Sequence, residues 1–140
     1  MLDQRIEILE HTGDTGLRVQ ADSLGELFSL SAQGMFYLIC PNCAIAKRQQ
    51  KEITVNGNDL EELYVNWLSE LNYLFSTNLM LFNQFSIHHI SPTELRAAAS
   101  GEKLNAQKHL LHTEIKAVTF HKVYVREKEN GWEAQIIFDI

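Results

Sequence analysis

Apolar positions recur along this chain with two periods, and the places where the period changes mark the elements. From Ser23 the spacing is helical: Leu24, Leu27, Phe28, Ala32, Met35, Phe36 and Ile39 fall at steps of three and four and so share one face. Ser23-Leu24-Gly25-Glu26 reads as a capping box at the start of that helix, which is predicted to end near Cys40-Pro41. A second helix opens at Asn58 or Asp59, each followed three residues later by a glutamate. It carries Leu60, Leu63, Trp67, Leu68, Leu71, Leu74 and Phe75 on its apolar stripe.

Elsewhere the alternation has a period of two. Arg5 to Leu9 and Leu17 to Ala21 are predicted strands flanking a polar loop or bend, His11-Thr12-Gly13-Asp14-Thr15-Gly16. Glu52 to Val55 is a brief strand closing at the turn dipeptide Asn56-Gly57. After the second helix come Met80 to Ile90, Leu95 to Ser100, Glu114 to Arg126 and Trp132 to Ile140, the last two reversing at Asn130-Gly131. Ile115, Ala117, Thr119, His121, Val123 and Val125 are expected to face Ala134, Ile136 and Phe138. Grouped strands plus two helices that each need an apolar floor give an α+β fold, with both amphipathic helices packed on a mainly antiparallel sheet.

Length and composition narrow the function. At 140 residues, 45% hydrophobic and 21% charged, the chain is expected to fold as one domain over residues 1–140. The formal net charge of -6 argues against wholesale gripping of a nucleic-acid backbone, which depends on neutralising phosphates, so any RNA role is expected to work through a partner. No basic-then-apolar leader and no membrane-length apolar run is visible, and a cytoplasmic location without membrane attachment is the expectation.

The reactive side chains are sparse. Cys40 and Cys43 stand three apart after a helix, at the end whose dipole disfavours a thiolate, and no second cysteine pair exists to complete a zinc site. They are expected to be structural free thiols. His88-His89 would point to opposite faces of a strand, and His109 with His112 are expected to be solvated loop histidines. No GxSxG, HExxH, P-loop or GxGxxG motif is present, which weighs against an enzyme. What remains is acid at both ends of the chain. If the terminal strand pairs beside the first hairpin, Asp14, Asp139 and the Ile140 α-carboxylate converge, and such a group calls for a hard divalent cation with oxygen ligands.

Six segments, in order along nearly the whole chain, carry a resemblance. They are Glu10-His11-Thr12-Gly13-Asp14-Thr15-Gly16, Leu30 to Phe36 with Gly34-Met35-Phe36, Trp67-Leu68-Ser69-Glu70-Leu71, Gly101-Glu102-Lys103-Leu104, Ile115 to His121, and Phe138-Asp139-Ile140. In these the sequence resembles an archease. The resemblance implies a protein that is not itself the catalyst. Its partner would be a GTP-dependent RNA ligase of the RtcB type, which seals tRNA exons and repairs RNA; the archease promotes its guanylylation and repeated turnover, and RNA is met only through the ligase. It also implies a divalent cation, calcium in many descriptions of the family, held by Asp14, Asp139 and Ile140. His11, Lys116 and His121 would then support the carboxylates or contact the partner. The sequence departs from the family pattern at Gly13, Thr15, Tyr37, Phe120 and the cysteine pair. Two other readings stand beside this one: a chaperone-like modulator of tRNA-modifying methyltransferases, and a metal-dependent hydrolase, for which no general base or nucleophile is evident.

Overall fold

The computed structural model describes residues 2–140, and of His11 the backbone alone. Seven strands and two helices follow in the order β1 (Ile6–His11), β2 (Asp14–Ala21), α1 (Leu24–Ile39), β3 (Gln49–Asn56), α2 (Leu60–Asn78), β4 (Met80–Ile90), β5 (Glu94–Lys103), β6 (Ala117–Lys128) and β7 (Gly131–Asp139). Every strand pairing is antiparallel. The strands form two sheets, β1-β2-β7-β6 and β3-β5-β4, where the hydrophobic pattern alone suggested one. The fold class is the expected α+β arrangement of two helices on antiparallel sheet.

Both helices begin as the capping pattern dictates. Ser23 Oγ accepts from the Glu26 N–H at 3.2 Å, and the Glu26 carboxylate reaches back to the Asp22 N–H at 3.1 Å. Asp59 caps α2 by accepting from the Glu62 N–H at 2.8 Å, which settles the choice between Asn58 and Asp59. Helix α2 ends on Leu79 in the left-handed region at φ 58°, where its N–H reaches the Leu74 and Phe75 carbonyls.

Helix α1 packs on β2 and β4, and α2 on β6 and β3, so each helix bridges the two sheets and one core fills the space between. The inward residues of the four-stranded sheet are Leu17, Val19 and Ala21 with Ala134, Ile136 and Phe138, all buried. Trp67, Tyr64 and Phe28 are enclosed at the centre. Their polar groups are satisfied there: Trp67 Nε1–H donates to the Phe28 carbonyl at 3.0 Å, and the Tyr64 hydroxyl to Ser31 Oγ at 2.7 Å. No helix among the described residues is long and apolar enough to cross a membrane.

Three local expectations are corrected. The segment His11 to Gly16 is hairpin rather than loop, because Asp14, Thr15 and Gly16 already pair with Asp139, Phe138 and Ile137; only Thr12 and Gly13 form the turn. Strand β6 does not alternate uniformly. Val118 faces the core opposite Phe138, a bulge between Thr119 and Tyr124 with Lys122 at φ 55° absorbs extra residues, and Val125 then faces the core opposite Ala134. The predicted parity of Ala117 and Thr119 is therefore reversed. Residues Glu114 to Lys116 also precede β6 rather than belong to it.

Candidate metal centre

The antiparallel register brings the turn of the first hairpin and the last residues of β7 to one end of the four-stranded sheet. His11, Asp14, Asp139 and Ala117 occupy one row across β1, β2, β7 and β6. In such a row, directly opposed side chains emerge on the same face with Cβ atoms about 5 Å apart. Asp14 and Asp139 are such a pair.

Local chemistry fixes this row. Gly13 lies at φ +83°, where glycine is free of the Cβ penalty, and with Thr12 it turns β1 into β2 so that Asp14 begins the returning strand. Two residues on, Gly16 lets β2 and β7 lie close: a Cβ there would meet the Ile136 carbonyl oxygen at 2.4 Å and Ile137 Cδ1 at 2.7 Å. On the other side β6 secures the end of β7. The Lys116 N–H donates to the Asp139 carbonyl at 2.8 Å, and Thr119 Oγ1 donates to the Ile137 carbonyl at 2.8 Å.

Asp14 Oδ1 is buried and has no hydrogen-bond partner among the described residues. A buried carboxylate oxygen without a donor is costly, and the group facing it from β7 is a second carboxylate, which repels it instead of offsetting its charge. Asp14 also lines an open groove of about 520 Å³ together with Glu10, Thr15, Tyr37, His112 and Ile140. Glu10 is an acid to which sequence reasoning gave no role, although it opens the first motif. Its place on the wall follows from its pairing with Thr15, which the hairpin register shows and the alternation pattern hid.

The donor set is all oxygen, the chemistry that suits a hard divalent cation and not a thiophilic metal. No three His, Cys, Asp or Glu side chains cluster in a metal-binding arrangement among the described residues. A cation at this tip would be held by the two aspartates, with the α-carboxylate at Ile140 as the third donor.

The remaining candidates separate. Lys116 reaches the site through its backbone, and its side chain is exposed. His121 lies in the β6 bulge, exposed, with no hydrogen bond to either aspartate among the described residues. The side chain of His11 lies outside what the structure describes. His109 is not solvated: it is 3% exposed, with Asn105 N–H donating to Nδ1 at 3.0 Å and Nε2 placed 3.2 Å from Glu102 Oε2. That leaves the proton on Nε2 and makes His109 a buried clasp. His112 is exposed, as expected, and borders the acidic groove. Cys40 and Cys43 are joined as a disulfide instead of standing as free thiols, because the turn after α1 brings both sulfurs together.

Glu102 is the other polar centre that sequence reasoning left without a role. Its side chain accepts from the Ala46 N–H at 2.7 Å, from Lys108 Nζ at 2.6 Å and from His109, and Arg48 Nε lies 3.4 Å away. The Ala46 amide and the Lys108 ammonium hold its carboxyl well below the ordinary 4.5, at about 2. This network ties the loop after β5 to the loop before β3, and so steadies the wall that carries His112.

Residues 6–140 match the Archease protein family (MTH1598/TM1083). Protein archease of Methanosarcina mazei is 36% identical over 141 residues, covering 98% of this chain and 97% of that one. Protein archease of Pyrococcus abyssi is 37% identical over 142 residues, covering 98% and 99%. Among solved structures, that of Methanobacterium thermoautotrophicum protein 1598 superposes with a TM-score of 0.76 at 27% identity, covering 97% of this chain and 99% of that one. The crystal structure of an archease, "possible chaperone", from Thermotoga maritima has a TM-score of 0.66 at 19% identity, covering 96% of each chain, and shares the fold. On the match across the whole fold and on these identities, the chain belongs to the archease family.

Proposed function

We propose that this protein is a non-catalytic accessory factor that activates a GTP-dependent RNA ligase of the RtcB type, with a divalent cation, calcium as the first candidate, held by Asp14, Asp139 and the Ile140 α-carboxylate. The observation that carries this reading is the buried Asp14 Oδ1, which has no hydrogen-bond partner among the described residues, directly opposite Asp139. The class of partner is the one that the resemblance to archeases implies. The net charge of -6 and the acidic tip suit a basic mouth that handles GTP and RNA phosphates, while leaving the RNA itself to the ligase.

When bound, the cation supplies positive charge that two or three oxygens share and that a partner's phosphate can also feel. The chain's own residues orient that charge. Gly16 lets β2 and β7 pack closely and the Lys116 amide fixes the end of β7, so the two carboxylates stand opposite one another at one end of the sheet. The groove beside them, walled by Tyr37 and His112, offers a partner loop a place to enter.

The test is ligase guanylylation followed with labelled GTP, with and without this protein and its Asp14→Ala and Asp139→Ala forms. Wild type is expected to accelerate the reaction and both variants to fail. No acceleration by wild type defeats the activator reading. A second reading, chaperone-like support of a tRNA-modifying methyltransferase, draws on the exposed apolar side chains Leu110, 85% accessible, and Phe120, 57% accessible. It predicts protection of such an enzyme from aggregation without dependence on nucleotide or on Asp14.

A further inference from the structure

The cysteine pair sits where neither the family pattern nor the acidic tip requires it, and its surroundings give it a use. Cys40 caps the C-terminal end of α1 and is 4% exposed, whereas Cys43 is partly exposed and lines a small open groove with Pro41, Tyr37 and Asn83. The Leu110 carbonyl oxygen lies 3.4 Å from Cys40 Sγ and 3.9 Å from Cys43 Sγ. Next to it, the His112 N–H donates to the Ile39 carbonyl at 2.8 Å. The segment from Lys108 to Thr113 therefore meets the end of α1 at two points, a backbone hydrogen bond at Ile39 and a close approach at the sulfurs. This same segment supplies His112 and Thr113 to the wall of the acidic groove.

The protonation of the sulfurs decides how firm that second point is. In the disulfide seen here neither sulfur carries a proton, so the Leu110 carbonyl has no donor there; reduction would give each sulfur an S–H able to donate to a carbonyl beside it. Position also decides what kind of redox site this is. A pair used for turnover needs its thiolate stabilised, commonly at a helix N-terminus, but this one lies at a helix C-terminus, where the dipole opposes negative charge. Exchange at such a site is slow, which suits a modification that is set and held.

We propose that Cys40 and Cys43 form a reversible thiol–disulfide modification site, exchanging with low-molecular-weight thiols, and that its state sets the firmness of the 108–113 wall of the acidic groove. On oxidation the Cys43 thiolate attacks a small disulfide RSSR, forming the Cys43–SR mixed disulfide and releasing RS⁻, which takes up the proton that Cys43 lost. The Cys40 thiolate then attacks Cys43 Sγ and expels the second RS⁻, which takes up the proton from Cys40. One RSSR is reduced to two RSH for each protein disulfide formed. Reduction is the reverse, with RS⁻ entering at the more accessible Cys43.

The test uses the full chain equilibrated in reduced and oxidised glutathione at graded ratios, quenched with an alkylating reagent and weighed intact. Molecules are expected to carry two free thiols or none, with no dependence on protein concentration. Amide exchange over residues 108–113 is then compared between the two forms. Losing weak hydrogen bonds to Leu110 is expected to speed it about two- to tenfold in the oxidised form. The paired variants separate donor loss from general loosening. Cys40→Ser with Cys43→Ser keeps two donors and should exchange as slowly as the dithiol, whereas Cys40→Ala with Cys43→Ala should exchange as fast as the disulfide, each regardless of glutathione. Equal exchange in oxidised and reduced wild type, or identical behaviour of the serine and alanine pairs, overturns the proposal, as does an end product of mixed disulfide or covalent dimer.

Discussion

Asp14 and Asp139 stand directly opposite one another across β2 and β7, although they come from opposite ends of the chain. Two carboxylates so placed repel, and one oxygen of Asp14 is shut away from water as well. In a chelator this repulsion should count against the folded state. Asp139→Asn is therefore expected to melt no lower than wild type without divalent ions. Calcium at about 100 times its Kd adds roughly 2.7 kcal/mol to a protein that binds it only when folded, a rise in Tm on the order of 5–10 °C here. Wild type should show that rise and Asp139→Asn should not, by thermal melting in chelator and in calcium. An equal calcium response in both proteins would remove Asp139 from the site.

How much of this was legible beforehand depends on the range of the interaction concerned. The helices were readable because their signals are local: Ser23 with Glu26, Asp59 with Glu62, and apolar residues at helical spacing all act within a few turns. The opposition of Asp14 and Asp139 was readable only as a condition, since alternation shows which face a residue takes but not which strands are neighbours. The division into two sheets was hidden for the same reason. The β6 bulge shows in the sequence only as a phase slip, from Val118 and Phe120 to Val123 and Val125 across the polar pair His121-Lys122, which one continuous alternation through His121 passes over. The burial of His109 and the role of Glu102 were not legible because their partners, the Ala44 carbonyl and the Ala46 amide, come from a loop with no pattern of its own.

Gly16 offers a test of the packing beneath the acidic row. Its missing Cβ is what allows the Ile136 carbonyl to approach, and an alanine methyl would have to displace backbone rather than a mobile side-chain end. Gly16→Ala is expected to lose about 1–3 kcal/mol of stability by overpacking. It should also weaken calcium binding, although the new side chain lies two residues away from Asp14. Denaturant unfolding with calorimetric titration checks both effects, and unchanged stability would mean that β2 and β7 part more easily than their pairing implies.

Glu102 supplies a pH dependence whose sign can be worked out. Its carboxyl is held at about 2 in the folded protein against an ordinary 4.5, chiefly by the Ala46 amide and the Lys108 ammonium. A value lowered by folding contributes stability that is complete above the ordinary value and is lost as pH falls from 4.5 toward 2. Glu102→Gln should therefore melt below wild type near neutral pH, and the gap should close as the solution is acidified through that window. The gap widening instead on acidification, in paired melting curves, would show that the charge on Glu102 is not what steadies the loop.

The end of the chain allows the sharpest separation between a cation ligand and a structural terminus. Asp139 is the last residue of β7, with its carbonyl fixed by the Lys116 amide, and Ile140 follows on the wall that Asp14 also lines. Extending the chain past Ile140 turns its α-carboxylate into an amide, removing one negative charge from the tip while every strand pairing up to Asp139 remains. Since calcium sites tune their affinity by the number of charged ligands, the extended protein is expected to bind calcium on the order of tenfold more weakly. Its melting temperature in chelator should be no lower than that of wild type, because no ladder hydrogen bond is lost and one repelling charge is removed. The same residues added before Met1 should leave the affinity alone. Calorimetric titration of the two extended proteins against wild type measures the difference directly; equal affinity in all three would assign the cation to Asp14 and Asp139 without Ile140.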